Sequence, residues 1–160
     1  MSRRGEHHTR PDRLSGDQFA LLFTFRRAML QFTKWSEQRV RKAGLTPQQY
    51  LLLLAVRART ADSPPSVGDL AGELLIRPNS AIELVNRAES LGLVSRQRDT
   101  RDQRVVRVTL TGKAHQMLDG LAAAHLAELE RAAESLSISE DFLTTLSAKY
   151  LGAGDTQTGQ

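Results

Sequence analysis

Apolar residues recur at helical spacing along the early part of the chain. Ser15-Gly16-Asp17-Gln18 has the form of a capping box. The apolar positions after it are Phe19, Leu22, Phe23, Phe25, Met29, Leu30 and Phe32. Gly44 stands where a left-handed residue ends a helix. We therefore predict a helix near 16–43, about 40 Å long. Because so long a helix seldom packs on its own small domain alone, it is a candidate for dimerisation.

Three further helix starts follow. Thr46-Pro47-Gln48-Gln49 opens a helix that runs to about Arg59 and is apolar nearly all round, which predicts a buried position. Ser66-Val67-Gly68-Asp69 opens a short helix, and Arg77-Pro78-Asn79-Ser80 starts another that ends at Leu91-Gly92. Two short helices joined by a tight turn indicate a helix-turn-helix. The outward positions of the second helix are Asn79, Ser80, Glu83, Asn86 and Arg87, and its inward positions are Ala81, Leu84, Val85 and Ala88.

Two short strands, 93–96 and 104–110, are predicted next, because the second is rich in β-branched residues that alternate with polar ones. Helices follow from 111, and the last is capped at Ser139 and runs to Leu151. The predicted fold is mostly α with a small β-wing. It is a winged helix-turn-helix at 45–110, flanked by dimerisation helices at 15–44 and 111–151. Residues 1–14 are predicted to be a disordered basic tail and 152–160 a flexible tail.

Composition excludes several classes of protein. There are 160 residues and no cysteine, so a single domain without disulfides or thiolate metal sites is expected. No apolar run approaches the ~20 residues of a membrane span, and no signal peptide is visible. We therefore expect a cytoplasmic protein without a membrane partner.

Charge divides the chain into two parts. Residues 1–107 hold 19 basic and 11 acidic residues, whereas 108–160 hold 3 and 7. Arginine makes up 18 of the 22 basic residues, and five arginines but only two acids lie within 96–107. A basic patch is typical of proteins that bind nucleic acid, and arginine suits contact with phosphate and guanine.

These residues resemble the MarR family of winged-helix transcriptional regulators over about 17–150. The matching motifs are Leu45-Thr46-Pro47-Gln48-Gln49-Tyr50, Ser66-Val67-Gly68-Asp69-Leu70-Ala71, Ser80-Ala81-Ile82-Glu83-Leu84-Val85-Asn86-Arg87, Gly92-Leu93-Val94, Asp99-Thr100-Arg101-Asp102-Gln103-Arg104 and Leu110-Thr111. The resemblance implies a homodimer on a pseudo-palindromic DNA operator. It also implies repression, and release by a small, often aromatic, ligand bound between the dimer helices and the DNA-binding lobe. Ala88 and Ala114 depart from the leucine and glycine usual in the family, and both are packing differences.

DNA contacts are expected at the start of the second helix of the motif, whose first residues meet base edges in the major groove. Asn79 can pair with adenine, Ser80 with a base or a phosphate, and Arg77 with a phosphate. Arg87 is expected to meet a phosphate or an internal acid. The alternative for Asn79 and Ser80 is helix capping.

The wing is expected to place Arg101 or Arg104 in a minor groove. The resemblance implies an Asp-x-Arg motif whose acid orients the arginine. Asp102-Gln103-Arg104 and Asp99-Thr100-Arg101 both have that form, so the choice between the arginines stays open. The alternative is a solvated charged loop.

A ligand site is expected near the dimer junction, lined by Phe25, Met29, Phe32, Trp35 and Tyr50. The alternative is that this stripe is core or dimer interface. His115 and Asp119 are four residues apart, but two ligands do not make a metal site, so neither a metal nor a cofactor is expected. No catalytic arrangement is visible, and an enzyme is not expected. Two other functions remain open: a non-specific or architectural DNA-binding protein, and a winged-helix module that binds another protein.

Overall fold

The computed structural model describes residues 15–59 and 63–135, and this part of the chain forms five helices and one two-stranded sheet. In chain order the elements are α1 (Gly16–Lys42), α2 (Pro47–Ala58), α3 (Val67–Glu73), α4 (Pro78–Ser90), β1 (Val94–Arg98), β2 (Val106–Leu110) and α5 (Gly112–Ser135). This order confirms the predicted fold class. The predicted tail 1–14, the predicted last helix to 151 and the predicted segment 152–160 lie outside the described residues.

Three helices begin at the predicted caps. Ser15, Thr46 and Ser66 each accept a hydrogen bond from the backbone three residues later, and each capping box is closed in the reverse direction. Helix α4 differs, because its N-cap is Arg77 and no side chain caps it. Asn79 and Ser80 lie inside the first turn, so the alternative that they cap the helix is wrong. Pro78 instead starts α4, since its fixed φ suits the first helical position.

Left-handed residues end two of the helices. Gly44 and Gly92 have φ of 81° and 66°, as expected for glycine after a helix. The turn between α3 and α4 contains an unpredicted case, Leu75, with φ of 53° and a side chain that is 92% exposed.

The strands pair antiparallel, with Val94 opposite Leu110 and Arg98 opposite Val106. β2 starts two residues later than predicted, because the backbone of Val105 donates to the carbonyl of Asp102 at 2.9 Å and closes a turn there. A backbone hydrogen bond connects the sheet to the segment before α3: the N–H of Val108 donates to the carbonyl of Pro65 at 2.9 Å.

The core lies where α2, α3, α4, the sheet and α5 meet. Its largest fully buried side chains include Leu52, Leu53, Leu70, Val85, Leu93, Val108 and Leu118. The inward positions predicted for α4 are all buried. We predicted that α2 is buried nearly all round. One side of it is not buried, because Leu51 is 52% exposed and faces a groove described below.

Helix α1 contributes little to this core. Val40 is its one buried residue, whereas its first half exposes Phe19, Leu21, Leu22, Phe23, Met29 and Leu30. None of the helices within the described residues is long and apolar enough to cross a membrane.

Candidate nucleic-acid interface and ligand groove

Helix α4 presents a polar face opposite its buried one. The five positions predicted to point outward are all exposed, as is Arg77 at the N-cap. Arg87 lies 3.7 Å from the carboxylate of Glu83 in an exposed ion pair. Such a pair contributes little to stability, so Arg87 stays available to a phosphate.

Arg96 connects the wing to α4. Its guanidinium donates from Nε to Oε2 of Glu89 at 2.8 Å and from Nη1 to Oδ1 of Asn86 at 2.7 Å. The hydrogen bonds from Arg96 lower the pKa of the Glu89 carboxyl. Sequence reasoning missed this connection, because no local pattern relates a strand residue to a helix residue ten positions earlier.

The five wing arginines divide into two groups. Arg96 and Arg107 are paired with acids. Arg98, Arg101 and Arg104 have exposed side chains that form no ion pair with any described residue. Three unpaired cations therefore lie at the wing beside α4, and this cluster can attract phosphate.

Asp99 and Asp102 shape the turns that carry two of these arginines. Oδ1 of Asp99 accepts hydrogen bonds from the backbone N–H groups of Arg101 at 2.7 Å and Asp102 at 3.0 Å. Oδ1 of Asp102 accepts one from the backbone of Arg104 at 3.0 Å. Each acid therefore holds the backbone of its arginine. Neither carboxylate forms an ion pair with the guanidinium of Arg101 or Arg104, so the expectation that the acid orients the arginine on DNA stays a prediction.

Arg107 ties the wing to the start of α3. Its Nε donates to Oδ2 of Asp99 at 2.7 Å, and its Nη1 donates to the carbonyl of Pro64 at 3.1 Å and lies 3.8 Å from Asp69. The hydrogen bond from Arg107, with those from the wing backbone, lowers the pKa of Asp99 to about 2. A hydrogen bond from the backbone of Ser66 is the main cause that lowers the pKa of Asp69. These contacts hold the wing against the helix-turn-helix.

A groove of about 690 Å³ lies between α1, α2 and α5. Its lining residues are Phe32, Thr33, Ser36, Glu37, Pro47, Tyr50, Leu51, Leu54, Ala122, Ala123, His125, Leu126 and Leu129. Of the five residues expected at a ligand site, Phe32 and Tyr50 line this groove. Trp35 stacks on Phe32 at 6.1 Å, whereas Phe25 and Met29 are not part of the lining.

His125 is the groove residue that sequence reasoning missed. It is 6% exposed, and its ring lies 4.6 Å from that of Tyr50. Nδ1 lies 2.7 Å from the carbonyl of Leu121, so it carries a proton, since a carbonyl only accepts. Nε2 is 2.7 Å from the hydroxyl of Ser36 and accepts from it when the ring is neutral. The available signal was a polar residue four positions after Leu121 on the apolar face of α5.

Tyr50, which packs against this histidine, is part of the buried core, and burial raises the pKa of its hydroxyl. His115 and Asp119 are both exposed. Across the described ranges, no three side chains of histidine, aspartate or glutamate come together as a metal site would require.

Comparison with known proteins finds similarity in sequence and in fold. Residues 43–105 match the model of the MarR family. The transcriptional activatory protein BadR of Rhodopseudomonas palustris is 35% identical over 89 residues, which are 56% of this chain and 51% of BadR. The chain thus matches about half the length of that relative.

Two solved structures superpose over most of the chain. AbsC, a MarR family transcriptional regulator from Streptomyces coelicolor, has a TM-score of 0.69 at 22% identity and covers 86% of this chain and 91% of its own. CouR from Rhodococcus jostii RHA1, solved with p-coumaroyl-CoA bound, has a TM-score of 0.71 at 19% identity and covers 93% and 99%. At these identities the likeness concerns the fold.

Proposed function

We propose that this chain, whose residues 43–105 match the MarR family model, is a winged helix-turn-helix regulator of that family. In this proposal it is a homodimeric repressor that reads a pseudo-palindromic operator and is released by a small ligand. AbsC is a MarR family transcriptional regulator and BadR is a transcriptional activatory protein, which supports a role in regulation and not in catalysis. BadR is named as an activatory protein. A reporter gene under the promoter of this protein's own gene therefore measures whether the protein represses or activates transcription. Repression predicts higher reporter output when the gene is deleted.

One observation carries the DNA-binding part of the proposal. The unpaired guanidinium groups of Arg98, Arg101 and Arg104 lie on the wing, and the wing is fixed to α4 through Arg96. A solvated loop needs no such concentration of unpaired positive charge. When a recognition helix enters a groove of DNA, phosphates line both edges of that groove. The three arginines on the wing would neutralise phosphates along one of these edges.

The residues take separate roles in this proposal. Asn79 and Ser80, exposed in the first turn of α4, contact base edges, and Arg77 and Arg87 contact phosphates. The wing places Arg101 or Arg104 in the flanking minor groove. Asp102 belongs to the same DNA-binding tip, where it accepts a hydrogen bond from the backbone N–H of Arg104.

Two copies of the chain complete the regulator. Large apolar side chains are exposed along α1 from Phe19 to Leu30, and Leu126 and Leu129 on α5 are exposed as well. A concentration of exposed apolar side chains is typical of a protein–protein interface. We assign residues 15–44 and the helical part of 111–151 to the dimer interface. The recognition helices then sit about one turn of DNA apart.

The groove is the proposed ligand site. It is mostly apolar, carries the Ser36 and His125 pair in its wall, and lies between the dimer helices and the DNA-binding lobe. CouR, which shares the fold, binds p-coumaroyl-CoA, a ligand with an aromatic group.

DNA binding is tested by fluorescence anisotropy at two salt concentrations, with the duplex upstream of the chain's own gene and a scrambled duplex. We expect a preference of roughly 10³-fold for the first duplex, with two subunits bound. Arg101→Ala and Arg104→Ala should each weaken binding about tenfold and reduce the salt slope by about one for a lost phosphate contact. The arginine in the minor groove is the one whose loss also weakens the preference for A·T pairs.

Arg57→Ala is the matched control, since it removes one exposed arginine from α2, outside both the wing and the proposed dimer interface. Equal affinity for both duplexes would favour the architectural DNA-binding protein. Absence of binding to either duplex at low salt would favour the protein-interaction module.

A further inference from the structure

Asn86 is held in one orientation by the wing. Nη1 of Arg96 donates to the side-chain amide at 2.7 Å, while the same guanidinium and the backbone N–H of Arg96 hold Glu89. Arginine has donors and no acceptor. The amide atom that faces Arg96 is therefore the oxygen, and the NH₂ group of Asn86 is turned away from the wing.

Asn86 also lies on the proposed base-reading face. It follows Asn79 by seven residues, so the two side chains project within about 20° of each other around α4. Its side chain is exposed. A space of about 400 Å³ is lined by the start of α3, by Ile82 on α4 and by Arg96 and Arg104 among others. Nothing within the described residues covers this part of α4.

From this geometry we infer that Asn86 reads guanine in the major groove and that Arg96 is its positioning residue. The inference rests on the proposed function, since it requires α4 to enter that groove. Guanine presents two adjacent acceptors, N7 and O6, which match an outward NH₂ group. An asparagine that pairs with adenine needs its oxygen and its nitrogen on the same base edge, and here Arg96 draws the oxygen toward the wing.

The test is selection from a randomised duplex library, followed by anisotropy with each selected duplex and its single-base variants. We expect one base position at which the wild-type protein prefers guanine. Asn86→Ala should reduce that preference about five- to tenfold and leave the other positions unchanged. Asn86→Asp replaces donors with acceptors, and at the same position it should move the preference toward cytosine, whose N4 amino group donates.

Arg96→Lys separates positioning from folding. A lysine keeps the charge beside Glu89 but cannot hold Glu89 and Asn86 together as a planar guanidinium does. We expect this variant to keep its unfolding temperature and lose the guanine preference to the extent seen for Asn86→Ala. Gln97→Ala, at the neighbouring position on β1, is the matched control and should keep the wild-type preferences.

The outcomes are distinct. If Asn86→Ala keeps every wild-type preference, Asn86 reads no base. If the preference that disappears is for adenine, the amide is not held as described. If Arg96→Lys keeps the guanine preference that Asn86→Ala loses, Arg96 is not a positioning residue. A wild-type protein that enriches no sequence overturns the proposed function itself, and the inference with it.

Discussion

Asp99 shows how one carboxylate organises the wing. One oxygen holds the backbone of Arg101 and Asp102, and the other accepts from Arg107. The side chain therefore sets the shape of the tip and fixes the tip to the strand that leads back to the domain. The Asp-x-Arg pattern identified the acid, but the arginine that pairs with it is eight residues away on β2.

The depressed pKa of Asp99 predicts how stability changes with pH. The pKa falls from its ordinary value of 3.8 to about 2 in the folded protein, so the ionised carboxylate favours folding. The contribution is complete above about pH 5 and is lost as pH falls toward 2. We expect the difference in free energy of unfolding between wild type and Asp99→Asn to be constant from pH 7 to about 5 and to shrink below about pH 4, as measured by urea denaturation.

Arg107→Ala provides the double-mutant control. Because the hydrogen bond from Arg107 is the largest cause of the shift, the pH dependence added by Asp99 should weaken in that background. If the difference in free energy of unfolding between wild type and Asp99→Asn disappears already near pH 6, the low pKa assigned to Asp99 is wrong.

At the scale of the element, α1 is the helix whose sequence and packing disagree most. Its cap and its apolar spacing are those of a stable helix, yet α1 buries only Val40. The exposed side chains from Phe19 to Leu30 have no partner surface among the described residues. A long helix with an uncovered apolar face is expected where a second copy packs.

Phe23→Glu tests this interpretation of α1. The side chain of Phe23 is exposed in the single chain, so the substitution should leave the fold of the monomer intact. In a dimer it would bury an unpaired charge, and we expect the dissociation constant to rise roughly 100-fold or more. Sedimentation equilibrium measures this change. Gln97→Glu adds the same charge at an exposed polar position of β1, outside the proposed interface, and should leave the dimer unchanged. A wild-type monomer, or a variant that still dimerises, would contradict the proposed interface.

At the scale of the whole molecule, the groove lies where a ligand can act on DNA binding. Its walls come from α1 and α5, proposed to dimerise, and from α2, whose buried face packs in the core with α4. In the proposed function, a ligand that prefers a different spacing of these parts would lower operator affinity by shifting the population of the two arrangements.

The lining also predicts the charge of the ligand. It contains Glu37 and no lysine or arginine from the described residues, so a neutral aromatic compound should bind better than an aromatic acid. With 2-naphthol as the probe, we expect a rise in Tm of about 2 °C or more and a loss of operator binding by anisotropy. Anionic 2-naphthoate should give a smaller rise in Tm and a smaller loss of operator binding. Ala123→Phe narrows the groove from its exposed wall and should remove the response. Tighter binding of 2-naphthoate would overturn this assignment.

Local rules were sufficient for most of the fold. The three capping boxes at Ser15, Thr46 and Ser66, the positive φ of Gly44 and Gly92, and the inward positions of α4 all depend on residues a few positions apart. Such contacts are encoded within a turn or two of the chain, so hydrophobic period and cap chemistry are enough to predict them. The sequence also shows directly that five arginines lie within 96–107.

Only the tertiary structure decided which of the five wing arginines form ion pairs with acids and which are left unpaired. Arg96 and Arg107 find their acids across the wing and on α4 or α3, which leaves Arg98, Arg101 and Arg104 unpaired. In the same way, His125 becomes part of a groove because α1 and α2 bring Ser36 and Tyr50 to it from far earlier in the chain. Sequence spacing carries no information on partners that only packing brings together. For that reason the sequence by itself determined the elements of this protein, and the pairing of side chains across those elements determined its candidate sites.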